Sequence, residues 1–235
     1  MRQESKKNYS AIILAAGSGS RMAANQNKIF LKLGDKAIFE YSLDLFLSDP
    51  DCQSILLVGK PEEKAYFSRF LSETVLFVPG GAERQDSVRH ALALVTSGNV
   101  MIHDGARPFV TMSQLNLLKG QENAILAVPV KDTIKQVAQN HQIHQTVPRD
   151  ALWAAQTPQF FETALIKKMH DTAKLENFLG TDDASLVEAY ATNAVAIVSG
   201  SYENIKITTP EDLIFGEAIL THRMRQESCD KLEAR

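Results

Sequence analysis

The chain has 235 residues, 44% of them hydrophobic, and a formal net charge of −3. That is enough apolar material for one sizeable α/β core, and too little positive charge for a general nucleic-acid or membrane surface. Its two cysteines lack metal-type spacing, no apolar run reaches the roughly 18 residues that span a bilayer, and residues 1–10 lack the apolar stretch of a signal peptide, so a reduced, cytoplasmic protein is expected.

Residues 11–14 form an apolar, β-branched run of buried-strand length. The run empties into Ala15-Ala16-Gly17-Ser18-Gly19, small residues that let a ligand lie against backbone N–H groups. Two cations follow, Arg21 and Lys28. A strand, a glycine loop and paired cations make a site for a polyanion, most simply a nucleoside triphosphate. Neither of the two best-known glycine loops fits. There is no Gly-Lys-Ser/Thr triplet, and Met22 stands where the dinucleotide fingerprint has its third glycine.

Downstream, residues 37–46 carry Ile38, Tyr41 and Leu45 at helical spacing, 54–59 is a second buried strand, and Pro61 opens a helix to about Leu71. Strand 74–78 ends at Pro79-Gly80-Gly81, and 84–95 reads as a helix with Val88, Leu92 and Val95 inward. Strand 100–102 runs into His103-Asp104-Gly105-Ala106-Arg107-Pro108; a short helix over 112–118 and a strand over 124–130 follow. This alternation predicts an α/β fold with a doubly wound, mostly parallel sheet. Ligands bind beyond the carboxyl ends of such strands, where the glycine loop, Gly80-Gly81 and the Asp104 turn all fall.

Residues 131–149 break the pattern. Segments 133–137 and 143–147 read as a polar hairpin that cannot bury a core of its own. It leans either on its own domain or on a second copy of the chain. One domain over 1–235 is expected, with 131–149 as a protruding arm. Residues 151–161 hold Trp153 and the tight Gln156-Thr157-Pro158-Gln159 segment, and a helix is expected over 161–172. Thr181 reads as a helix cap followed by Asp182 and Asp183 in the first turn. Strands are expected over 194–198 and 204–208, then a helix starting at Pro210 whose charged end frays after Leu220. His103 reads as structural, and His141 and His144 have no partners at metal spacing.

Seven segments in order carry a family resemblance. They are residues 14–22, Gly80-Gly81 with residues 84–88, residues 103–108, 132–135, 152–159, 181–184 and 204–208. Between about Ala11 and Leu220 the chain resembles the 2-C-methyl-D-erythritol 4-phosphate cytidylyltransferases of the non-mevalonate isoprenoid pathway. The resemblance implies a Rossmann-like nucleotidyltransferase fold, and transfer of CMP from CTP to methylerythritol phosphate with release of pyrophosphate. It implies that Arg21 and Lys28 hold the triphosphate and stabilise the transition state, while Arg149 and Lys206 position the attacking phosphate. Ala15, Ala16, Gly17, Gly19, Gly81, Ser87 and Asp104 match the nucleotide site; Arg107, Thr133, Thr157 and Thr181 match the methylerythritol phosphate pocket.

The resemblance further implies Mg²⁺ held mainly by the CTP phosphates, with no metal site of protein side chains. It also implies a homodimer joined by the arm, with Arg107, Thr133 and Arg149 of one subunit meeting Arg21, Lys28 and Lys206 of the other. Ala23, Asn27 and Ile29 depart from the family's usual loop, although the spacing from Arg21 to Lys28 is kept. Ribitol-5-phosphate cytidylyltransferases are the nearest rival; Ala16, Gly105-Ala106 and Leu152-Trp153 favour methylerythritol phosphate. A non-catalytic nucleotide-binding module is the rival from another class and has no reason to keep Arg149 and Lys206.

Overall fold

The first apolar run forms strand β1 (Tyr9–Leu14), whose residues feed both faces of a central sheet. Tyr9, Ala11 and Ile13 enter one core cluster and Ile12 the other, as the two-residue period of a strand requires. The computed structural model describes residues 7–17 and 27–233. After β1 come β2 (Lys32–Leu33), β3 (Lys36–Ala37), α1 (Ile38–Ser48), β4 (Cys52–Gly59), α2 (Lys64–Phe67), β5 (Val75–Pro79), α3 (Arg84–Leu92) and β6 (Asn99–Asp104). The chain continues through α4 (Met112–Lys119), β7 (Ala124–Pro129), β8 (Ile134–Val137), β9 (Ile143–Val147) and β10 (Trp153–Glu162). It closes with α5 (Thr163–Leu175), α6 (Asp183–Tyr190), β11 (Ala196–Ser199) and α7 (Pro210–Glu233).

Seven of the described strands form one sheet in the order β11-β7-β10-β6-β1-β4-β5. All neighbours pair in parallel except β10, which runs antiparallel to both β6 and β7. One face is covered by Phe39, Leu43 and Phe46 of α1 with Leu115 and Leu118 of α4. The other is covered by Val88 and Leu92 of α3, Ile166 and Met169 of α5, and Leu186 and Val187 of α6. Both faces are dry, so the inner strands read as continuous apolar runs. The expected Rossmann-like, mostly parallel sheet is therefore the fold. No helix among the described residues is long and apolar enough to cross a membrane.

Several expectations need correction. The helix expected over 61–71 is two 3₁₀ turns, Pro61–Glu63 and Ser68–Phe70, around the single turn of α2; Phe67 is its one buried residue, so no apolar stripe sustains a longer helix. Residues 151–161 supply β10, which slots between β6 and β7 with a register shift between Ala155 and Gln159. Residues 204–208 are no strand: Asn204 and Ile205 turn back on Ser201 and Glu203, and Ile207 N–H donates to Ala106 O at 2.9 Å. The cap of α6 is Asp182, whose carboxylate accepts from Ser185 N at 2.9 Å, and not Thr181. Helix α7 does not stop near Leu220, because Arg223 ties it to Glu203 and to Phe109 O at 2.9 Å each.

At the amino ends of β1 and β4 a half-hidden cluster locks the sheet to α4. Lys119 Nζ lies 2.8 Å from both Asp49 Oδ2 and Asp51 Oδ2, and Tyr9 Oη donates to Asp49 at 2.9 Å. Burial pushes the Asp49 carboxyl up, but the Lys119 ammonium, Asp51 N–H and Tyr9 hydroxyl together hold it below its ordinary range. Lys119→Ala is expected to lower the unfolding free energy at pH 7 by about 3 kcal/mol, because Asp49 is left buried and under-compensated. A carboxyl with a depressed native pKa lends its stability above the unfolded value and loses it as pH falls. Urea denaturation of the two proteins should therefore show the gap closing below the normal carboxylate range.

Candidate functional site

The carboxyl ends of β1, β4, β5 and β6 open into one cleft of about 500 Å³. At its first wall, Ala15 N–H bonds Val58 O at 2.7 Å and extends the ladder by one residue, after which Ala16 and Gly17 line the cleft. An added Cβ on Gly17 would meet no atom of the described residues within 4 Å. Gly19 and Arg21 lie outside the described residues.

Asn27 anchors the far end of the loop. Its amide donates to Ala15 O at 2.8 Å and Glu63 Oε2 at 3.1 Å, and its Oδ1 accepts from Ile29 N at 3.4 Å. This buried side chain fastens the 3₁₀ turn Lys28–Phe30 beside β1, and Lys28 lines the cleft.

The second wall is Gly80-Gly81. A Cβ on Gly80 would come within 2.9 Å of Ala16 Cβ, and one on Gly81 within 2.4 Å of Asp86 Cβ. Here close approach does require glycine. Gly81 N–H donates to Ser87 Oγ at 2.9 Å, and Ser87 lines the cleft.

The floor is ionic. Asp104 ends β6, and its Oδ2 lies 2.7 Å from Lys206 Nζ while its Oδ1 lies 3.5 Å from Arg84 Nε. Burial would raise the Asp104 carboxyl, but Arg84 and then Lys206 hold it far below the usual range. Arg84 Nη1 also stands 2.8 Å from Asp183 Oδ2. Arg84 lies in the 84–88 segment that carries the resemblance, but the sequence reading gives it no site role; its position three residues after Gly81, at the first turn of α3, is the available signal.

Behind the floor sits His103, fully buried. Its Nε2 lies 3.1 Å from Arg107 O and 3.0 Å from Ser42 Oγ, and its Nδ1 lies 3.0 Å from Thr157 Oγ1. A carbonyl only accepts, so the proton is on Nε2 and neutral Nδ1 accepts from Thr157. Thr157 in turn accepts from Asp104 N–H at 3.0 Å. Thr157 thus contacts the backbone of Asp104 and does not line the cleft. Arg107 also lies behind it, donating to Asn204 O at 2.7 Å. Within this chain the carbonyl that Arg107 bonds lies two residues before Lys206.

Thr181 borders a smaller cavity of about 90 Å³ that shares Glu83 and Arg84 with the main cleft. Thr133 and Arg149 are not brought to the cleft of this chain. Thr133 leads into the separate β8–β9 ribbon, and Arg149 donates to Lys131 O at the ribbon's base.

The profile of the family described as 2-C-methyl-D-erythritol 4-phosphate cytidylyltransferase matches residues 9–222. The chain belongs to this family. Relatives carrying that name include one from Halalkalibacterium halodurans, 47% identical over 228 residues, covering 93% of this chain and 99% of the relative. Another, from Geobacillus thermodenitrificans, is 47% identical over 229 residues and covers 93% and 100%. Among solved structures, a 4-diphosphocytidyl-2C-methyl-D-erythritol synthase from Anaerococcus prevotii superposes with a TM-score of 0.80 at 32% identity, over 92% of this chain and 97% of that one. A 2-C-methyl-D-erythritol 4-phosphate cytidylyltransferase from Thermus thermophilus gives 0.75 at 32%, over 90% and 98%. The chain is accordingly a cytidylyltransferase.

Burial pushes the His103 imidazole down to about 4 from its ordinary 6.5. A base with a depressed native pKa stabilises the fold fully above the unfolded value and loses that contribution as pH falls toward the native one, here ~3 kcal/mol across the window. The stability advantage of the cytidylyltransferase over its His103→Gln variant should therefore shrink between pH 7 and pH 4.5 in urea denaturation. Parallel losses in both proteins would contradict a neutral buried imidazole.

Proposed function

We infer that the chain transfers the cytidylyl group of CTP to the phosphate of 2-C-methyl-D-erythritol 4-phosphate, releasing pyrophosphate. The observation that carries this reading is the meeting of Lys28, Lys206 and the Gly17 and Gly80-Gly81 loops around one cleft. The attacking phosphate oxygen is already mostly ionised near neutrality, its second pKa being about 6, so no general base is required. Repulsion is the obstacle: each unit pair at 4 Å costs about 4 kcal/mol at an effective dielectric of 20. Cations fixed before the reactants arrive offset that cost without reorganising during the reaction. Lys28 serves the triphosphate and Lys206 the attacking phosphate, with Arg21 completing the set. Gly81 and Ser87 read the cytosine edge, where the closely packed wall excludes a purine.

Mg²⁺ supplies further charge neutralisation on the phosphate oxygens. No group of three His, Cys, Asp or Glu side chains that could hold a metal is gathered among the described residues, and both Asp104 oxygens already face cations. An ion here would be carried mainly by the nucleotide and water. The enzyme acts in the cytoplasm, a reading supported by two unpaired cysteines.

The second half of the site comes from another copy of the chain. The β8–β9 ribbon stands apart from the main sheet, with Val137 54% and Ile143 63% exposed. Such a ribbon is marginal alone and gains most from a partner. Its Thr133 and Arg149 then reach the partner's cleft, joining Lys28 and Lys206 there.

Pyrophosphate release with CTP, measured with methylerythritol phosphate and ribitol phosphate in parallel, tests the substrate reading; turnover should favour the former. Lys206→Ala should lower kcat by on the order of 10²-fold or more. Deleting residues 136–146 should give monomers with poor turnover by light scattering and assay, and a fully active monomer would refute the shared site.

A further inference from the structure

We propose that Arg84 is a positioning residue: it holds one oxygen of Asp104 so that the other aims the Lys206 ammonium into the cleft. The inference rests on the cytidylyl-transfer reading and adds a residue to it. Arg84 occupies the first position of α3, where the helix dipole disfavours a cation, and its half-buried guanidinium is costly to desolvate. A leucine or glutamine would suit the helix better. What the position provides is a planar fork that spans two carboxylates, Asp104 on the cleft side and Asp183 on the other.

Asp183 is a fixed post. It is 1% exposed, its N–H donates to Gln159 Oε1 at 3.1 Å, and its Oδ1 lies 3.1 Å from His170 Nε2. Gln159 also accepts from Ala184 N at 3.1 Å and donates to Asp182 Oδ2 at 2.7 Å, which ties this post to β10. Arg84 therefore transmits the rigidity of the α6 N-terminus to the Asp104 carboxylate. Lys206 needs that help. It sits in an irregular segment with its side chain 40% exposed, and its ion pair with Asp104 at 2.7 Å is what directs it. If Arg84 is lost, the carboxylate rotates and Lys206 moves with it.

A double-mutant cycle on kcat separates this role from simple helix docking. Arg84→Gln should lower kcat about tenfold or more in the wild-type background, yet by less than about twofold in a Lys206→Ala background, since the group it aims is already gone. Equal fold-losses in both backgrounds would overturn the proposal, as a structural arginine weakens the two enzymes alike. Should Arg84→Gln fail to fold by circular dichroism, Arg84→Lys takes its place in the same cycle. That variant keeps a cation for Asp183 but cannot span both carboxylates, so it carries the same expectation and is overturned by the same additive result. Absence of pyrophosphate release by the wild-type enzyme would instead count against the substrate reading, leaving the two failures distinguishable.

Discussion

The cleft depends on one buried anion. A site built to receive two phosphorylated reactants must hold cations close together before either reactant arrives, and like charges so confined repel. Asp104 relieves that repulsion from within: it is shared by Arg84 and Lys206 at 3.5 and 2.7 Å. Because it ends a central strand flanked by β1 and β10, its backbone is fixed by the ladder and by Thr157. The carboxylate can stay ionised in a buried place only because its cations are there, and they are placed only because it is ionised. Each requires the other, so the floor of the cleft is present as a unit.

Packing supplies the rest of that rigidity. Two dry layers clamp the sheet, and a neutral imidazole fills the space beneath the floor with every nitrogen engaged. The Gly80-Gly81 wall lies so close to Ala16 and Asp86 that a single methyl would displace it. Across the opening, Asn27 ties the Lys28 turn to β1 by side-chain hydrogen bonds. Preorganisation is thus distributed over backbone proximity on one wall and polar anchoring on the other.

Local patterns made much of this legible in the sequence. The apolar runs of β1, β4 and β6, the glycine pairs and the segment from His103 to Pro108 act through neighbours in the chain, so their chemistry shows in short windows. What stayed hidden depends on distant partners. Arg84 stands in the 84–88 segment that carries the resemblance, but its role needs Asp183 and Asp104, which only the fold brings to it. Strand β10 was obscured by Gln156-Thr157-Pro158, which reads as a turn although the flanking residues pair with β6 and β7. The alternation of Ile205 and Ile207 imitates a strand, but only Ile207 finds the main chain of Ala106. Thr181 and Asp182 are both good caps by type; only the three-dimensional path decided that Asp182 reaches Ser185.

On the proposed reading the arm divides the site along a physical line. The cleft is held by one chain's sheet ends, whereas Thr133 and Arg149 sit on a ribbon anchored at its base by Arg149 on Lys131 O, Lys131 3.4 Å above the Tyr202 ring, and Tyr202 Oη on Pro129 O at 2.7 Å. Those contacts fix where the ribbon leaves the domain but leave Ile134, Val137 and Ile143 exposed. On the proposed reading, association covers those side chains and delivers the acceptor-phosphate residues in the same step. Anything that binds only the assembled form then stabilises it by mass action. Ordering of the ribbon, dimer formation and completion of the acceptor half would therefore share a single dependence on protein concentration, while the glycine-walled nucleotide half would not.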